Sequence, residues 1–144
     1  MTEVDNFTNK FTGERISNVV KSGRNFFQVN DELLNLKTKI KKEPFAIGTY
    51  LGGGKPFHPS IALLDWLDKR TVNHVIIDKK AAWLFLCGRD IFAESVIKQT
   101  INDGNLVLVK NEMNEVLGLG EMTGRQVSIR NLLDRGDFLR RERH

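Results

Sequence analysis

LVLVKNEMNEVLGLGE (106–121) decides how this chain folds. A valine-rich run, Leu106–Lys110, is followed by a turn over Asn111–Asn114 and a second strand, Val116–Glu121. Short runs of β-branched and aliphatic residues bounded by asparagines predict a hairpin. Gly118 and Gly120 alternate in the second strand, so a neighbouring backbone or a bulge can come close there. RQVSIRNLLDRGDFLRRERH (125–144) follows. In it Val127–Arg130 reads as another strand, and Leu132–Arg141 as a short turn or helix broken by Gly136. After Lys110 every basic residue is arginine, at 125, 130, 135, 140, 141 and 143. A guanidinium is always charged and presents a planar fork of donors suited to phosphate and carboxylate. A β-rich module with an arginine-lined end points to RNA before enzyme chemistry, against the blander reading of a solvated terminal face.

Upstream, Ala81–Cys87 is a continuous apolar run and reads as a buried strand. Gly88-Arg89-Asp90 breaks it. Ile91–Gln99 then carries Ile91, Phe92, Val96 and Ile97 in a helical pattern. A glycine break between strand and helix exposes backbone N–H groups at a helix start, which favours an anion. Gly88 and Arg89 are therefore candidate phosphate contacts, and Asp90 is a candidate helix cap. Strand, helix and three more strands suggest a small, mostly antiparallel barrel beside a helix. Lys79-Lys80 reads as an exposed junction, dividing the chain into residues 1–79 and 80–144.

In the first part Phe7 and Phe11 lie four apart in a polar stretch, which fits a short helix or a frayed end. Strand-like Val19-Val20 and Phe26–Val29 flank Ser22-Gly23-Arg24, where a glycine suits a hairpin turn. Asn30 or Asp31 can cap a helix running to about Lys41, with Leu33, Leu36 and Ile40 on one face. Pro44 stops it, and Phe45–Leu51 is the next strand. Gly52-Gly53-Gly54-Lys55-Pro56 reads as a flexible loop. It is no phosphate-binding P-loop, because Thr49 holds the first glycine position and Pro56 follows the lysine where a hydroxyl is needed. Pro59 suits the first turn of a helix over Ile61–Leu67, and Val72–Asp78 is a strand.

The 144 residues are 40% hydrophobic and 28% charged, ordinary for a globular protein. No apolar run is long enough to span a bilayer, and no secretory signal is read, so a cytoplasmic location is expected. The lone Cys87 reads as a small core residue. The formal charge is +4. Residues 1–80 carry 13 basic and 9 acidic side chains, 81–124 carry 3 and 6, and 125–144 carry 6 and 3. This excludes a uniformly basic binder and allows a patch that steers a phosphate backbone. His58, His74 and His144 lie at no metal-ligand spacing, so no metal is expected. Gly118, Gly120 and Gly124 miss the dinucleotide spacing by one residue. No nucleophile elbow or catalytic partner set is visible, so no catalytic residue and no cofactor are expected. Trp66, Trp83 and the phenylalanines could stack on bases, but their apolar neighbours favour core packing.

WLFLCGRDIFAESVIKQ, LVLVKNEMNEVLGLGE and VSIRNLLDRGDFLRRE, in this order, resemble a PUA domain over residues 81–142. FFQVNDELLNLKTKI, FAIGTYLGGGKPF and FHPSIALLDWL resemble the amino-terminal α/β domain of the Nip-seven ribosome-biogenesis family, in an archaeal member. Family members usually begin with a longer helical segment than this chain shows. The resemblance implies an α+β protein, a small amino-terminal α/β domain followed by a PUA-type pseudo-barrel. It implies a non-enzymatic RNA-binding factor in large-subunit assembly and pre-rRNA processing. Its partners would be rRNA or pre-rRNA, structured or uridine-rich, and other ribosome-assembly or RNA-processing proteins, with no membrane. The expected RNA contacts are Arg125, Gln126, Arg130, Arg140 and Arg141, with Gly88 and Arg89 as a second anchor. Gln126, Val127 and Leu133 stand where the family often has a basic residue, and Arg125 or Arg135 could compensate. The alternatives are a protein-interaction adaptor and an accessory part of an RNA-modification enzyme, for which the remaining eighty residues are too few to form the catalytic domain.

Overall fold

The computed structural model describes residues 2–31, 48–101, 105–124 and 127–137, with backbone only at 127 and 128. Most of the expected helix from Asp31 to Lys41 lies outside them, as do Arg125, Gln126, Phe138, Arg140 and Arg141. The chain divides into two compact units, Met1–Leu67 and Asp68–His144.

In the first unit, α1 (Glu3–Thr8) is a capped helix rather than a frayed end. Thr2 Oγ1 accepts from the Asp5 amide at 3.2 Å, and Asp5 Oδ2 accepts from the Thr2 amide at 3.2 Å. This reciprocal pair satisfies N–H groups that a helix start leaves orphaned. A four-stranded antiparallel sheet follows: β1 (Val19–Ser22), β2 (Asn25–Gln28), β3 (Thr49–Gly53) and β4 (His58–Pro59), paired in that order. The β1–β2 hairpin turns at Gly23, at φ +62°, where the sequence placed it.

The glycine triplet is not a loop. Gly52 and Gly53 belong to β3. Gly52 takes φ +135°, and a Cβ there would strike the His58 carbonyl and the Phe57 ring. At Gly53 a Cβ would meet the Arg24 carbonyl and the Asn25 side chain. Close approach of three strands, not mobility, requires these glycines. Pro59 likewise ends the short outer strand β4, where no ladder N–H is lost. Ser60 instead opens α2 (Ile61–Asp68), its Oγ accepting from the Leu63 amide at 3.1 Å. Leu63, Leu64 and Leu67 are fully buried.

The second unit opens with β5 (His74–Ile77). The run read as a strand is the helix α3 (Lys79–Leu86), and Lys79-Lys80 form its first turn rather than a junction. Asp78 caps it, with Oδ1 accepting from the Ala81 amide at 2.8 Å. The run holds no β-branched residue, and Ala81, Ala82 and Phe85 are buried at helical spacing while Trp83 faces out. Cys87, one residue past the helix, is exposed and not a core residue.

The segment Ile91–Gln99, expected as the helix of this module, is β6 (Ile91–Phe92), a 3-10 turn (Ala93–Ser95) and β7 (Val96–Thr100). The hairpin β8 (Leu106–Lys110) and β9 (Val116–Met122) stands where the sequence put it, and β10 (Val127–Asp134) runs longer than expected. The sheet order is β6-β10-β9-β8-β5-β7, antiparallel throughout except β5 with β8. Its two outer strands, β6 and β7, are joined by three residues alone. Three residues reach at most about 10 Å, so the edges converge and the sheet nearly closes on itself. The core holds Val75, Ile77, Phe85, Ile91, Val107, Val109, Leu117 and Ile129, which places α3 against one face of the sheet.

Candidate nucleic-acid interface

Gly88 and Arg89 sit at the end of a helix, not at the start of one. The Gly88 amide donates to the Phe85 carbonyl at 2.9 Å and the Arg89 amide to the Leu84 carbonyl at 3.1 Å. Gly88 takes φ +93°. This is the left-handed glycine stop that satisfies the last carbonyls of a helix. Both amides are therefore used, and the helix end carries partial negative charge. The expected backbone dock for phosphate is overturned, and the exposed side chain of Arg89 is what this turn offers an anion. Asp90 is not a helix cap, because its Oδ1 accepts from the Asn131 amide at 2.8 Å.

Asn131 ties the turn to the last strand. Its Nδ2 donates to the Phe85 carbonyl at 2.9 Å, with longer contacts to the Arg89 carbonyl and Asp134 Oδ2. Asp134, 3% exposed, accepts from the Asp137 amide at 2.7 Å. Gly136 lies so close to the Leu86 carbonyl that a Cβ would collide with it. The two predicted anchors, the Gly88–Arg89 turn and β10, are thus brought together by side-chain-to-backbone bonds.

Arg130 is exposed on β10 but paired. It stands opposite Glu121 on β9, and the two form an ion pair. Arg135 Nε donates to the Val116 carbonyl at 2.6 Å, which assigns part of that guanidinium to the fold. Of the expected arginine contacts, Arg89 alone among the described residues has no carboxylate or carbonyl partner for its side chain. The arginine-lined end is therefore only partly assembled by the described residues.

Two features differ from the sequence reading or escaped it. One is the outer face of α3, where Lys79 and Lys80 are exposed and Trp83, expected to pack in the core, is 66% exposed. Their spacing of three and four becomes visible only once the run is known to be helical. The other is Lys110, 2% exposed, with Nζ 2.7 Å from Asp68 Oδ1 and with His74 beside the same carboxylate. Burial, and then the nearby Lys110 charge, push the His74 pKa below its ordinary value against the opposing pull of Asp68 and a bond involving Thr71.

A nearly closed mixed sheet with a capped helix, its last strand bonded to the turn after that helix, is a PUA-type pseudo-barrel. Residues 73–143 match the family described as the UPF0113 PUA domain, and this stretch is a PUA domain. The chain is 32% identical over 112 residues to a UPF0113 protein of the archaeon Archaeoglobus fulgidus. That match takes in 69% of this chain and 64% of the relative's length. The fold resembles a conserved PUA domain protein from Thermoplasma acidophilum, with a TM-score of 0.62 at 17% identity, covering 99% of this chain and 96% of the other. It also resembles a hypothetical protein from Pyrococcus horikoshii, with a TM-score of 0.53 at 14% identity over 92% and 89% of the two chains.

Proposed function

We propose that this protein is a non-enzymatic RNA-binding factor of the Nip-seven type, acting in large ribosomal subunit assembly and pre-rRNA processing in the cytoplasm. One observation carries the reading: the second unit is a PUA domain, and PUA domains commonly bind RNA. Support for the finer assignment comes from the order of motifs in the two halves and from the division into two compact units. The amino-terminal unit would be the family's α/β domain. Arg125, Gln126, Arg130, Arg140 and Arg141 would contact the phosphate backbone beside Arg89, with rRNA or pre-rRNA as ligand. Such contacts position RNA, and shape or unpaired bases supply specificity.

Filter binding of the full chain to structured and uridine-rich RNA tests this. Binding should weaken steeply with salt, since each neutralised phosphate adds about 0.7 to the logarithmic slope for single strands. Absence of binding at low salt would remove the reading.

A protein-adaptor function is the second reading, favoured by the exposed outer strand β7, where Ile97 is 53% exposed. Pull-down with and without nuclease separates the two, because a direct protein contact survives RNA removal.

A further inference from the structure

We infer that the outer face of α3 is a stacking platform for an unpaired nucleobase, with Trp83 as the stacking residue and Lys79 and Lys80 holding the adjoining phosphates. The inference rests on the RNA-binding reading and names the part of the RNA that this surface takes.

Trp83 is the anomaly that calls for an occupant. Tryptophan is highly buried on average, yet this one is 66% exposed in the middle of a helix whose other face is core. Phe85, two residues on, is fully buried, so the helix is amphipathic and Trp83 lies on its outward side. Lys79 and Lys80 precede it by four and three residues and therefore share its side of the helix. Helical side chains lean toward the N-terminus, which lays the indole over the turn that carries the two lysines. Arg89 is exposed just beyond the other end of the same helix.

Neighbouring carboxylates are engaged by backbone amides and form no ion pair with this face among the described residues. Asp78 Oδ1 is bonded to the Ala81 amide and Asp90 Oδ1 to the Asn131 amide, both at 2.8 Å. Among the described residues no ion pair involves Lys79, Lys80 or Arg89. An indole face beside cations complements a nucleotide, in which a π-face adjoins a phosphate, better than it complements an apolar protein surface. Duplex RNA shows its base faces only at its ends, so the ligand chemistry is a single strand, loop or bulge.

The test compares wild-type full chain with Trp83→Ala, Trp83→Phe and the double change Lys79→Ala with Lys80→Ala. The probes are a short oligouridylate and a blunt RNA duplex of equal length. Wild type should bind the single strand with quenching of tryptophan fluorescence. Trp83→Ala should lose about tenfold in affinity for it, while Trp83→Phe retains most of the affinity. The quench should vanish in Trp83→Phe, where Trp66 is the remaining tryptophan. The double lysine change should lower the salt slope by about 1. Unaltered thermal melting of each variant separates the effect from misfolding.

Single-strand binding that is unchanged in Trp83→Ala would overturn the stacking platform and leave the RNA reading standing. Loss of self-association in sedimentation, with RNA affinity unchanged, would also overturn it and assign the face to protein. Failure of the wild-type chain to bind either probe at low salt would overturn both.

Discussion

Lys110 Nζ lies 2.7 Å from Asp68 Oδ1, on a lysine side chain only 3% exposed. The approach is not aligned as a hydrogen bond, because Asp68 Oδ1 lacks a bonded partner, so charge proximity is what compensates the buried ammonium. Removing one member of a buried pair costs more than removing both. Asp68→Ala should therefore destabilise the protein by about 3 kcal/mol, since it strands a buried cation. Lys110→Met should cost about 1 kcal/mol, because Asp68 keeps access to water and a methionine fills a similar volume. Urea unfolding of both variants and of the double change checks this; a double-change loss equal to the sum of the two single losses would mean that the pair is not coupled.

His74 stands by the same carboxylate and gives the unit a pH dependence. Burial and the Lys110 charge depress its folded-state pKa below 6.5. Below that pH the unfolded chain binds the proton that the folded chain resists, so stability falls as pH falls. Its contribution is fully present above about pH 6.5 and is lost as pH drops through the folded-state value. Melting between pH 7.5 and 5 should show this decline in wild type and a flatter profile in His74→Gln. Identical profiles would dismiss His74 as the titrating group.

Gly118 fills a place that no other residue can take. A Cβ there would fall on the Leu133 carbonyl, next to the register shift between Asn131 and Leu133. Backbone is the obstacle, so the clash cannot be relieved by turning a side chain. Gly118→Ala should cost about 2–3 kcal/mol, as overpacking of a filled site does. Gly124→Ala is the contrast, because nothing lies within 4 Å of its Cβ and only its φ of +69° opposes the change. Chemical denaturation should rank Gly118→Ala well below Gly124→Ala.

Asn131 joins helix, turn and last strand through one amide group. Asn131→Ala would leave the Phe85 carbonyl without this donor and loosen the Asp90–Arg89 turn. The expected loss is about 1 kcal/mol, the net contribution of a lost hydrogen bond, since the Phe85 carbonyl keeps the Gly88 amide as donor. Hydrogen exchange should quicken first at Gly88 and Arg89. Uniform protection in the variant would show that the turn holds without it.

The hairpins were legible because their signals are local. Gly23 between two short strands, and Asn111–Asn114 between two aliphatic runs, need no tertiary context. The glycines of β9 were legible for the same reason. Ala81–Cys87 was not, since a short apolar run fits a buried strand and a buried helix segment equally. Its lack of β-branched residues and the asparate at 78 were the available clues. Ile91–Gln99 misled in the opposite sense: two strands broken by a 3-10 turn put apolar residues at helical spacing. At the site, Arg89 could be read from its neighbours in sequence. Trp83 could not, because exposure depends on which way α3 turns its faces. Nor could the Arg130–Glu121 pair, which depends on the β9–β10 register.

That pair gives the proposed RNA contact its sharpest test. Arg130 is 58% exposed at the side chain and Glu121 is 34% exposed, so the guanidinium can exchange a carboxylate for a phosphate. Glu121 competes with RNA for the same donors, and an exposed pair of this kind contributes about 1 kcal/mol or less to stability. Glu121→Gln should therefore tighten binding to oligouridylate about two- to fivefold at low salt, with little change in melting. Arg130→Ala should weaken binding and reduce the salt slope by about 1, and joined with Arg125→Ala it should weaken binding further without unfolding the chain. A charge-reduced Glu121→Gln raises attraction for any anion nearby, so the double variant Glu121→Gln with Arg130→Ala is the control. If it binds as tightly as Glu121→Gln alone, the gain came from general field and Arg130 touches no phosphate.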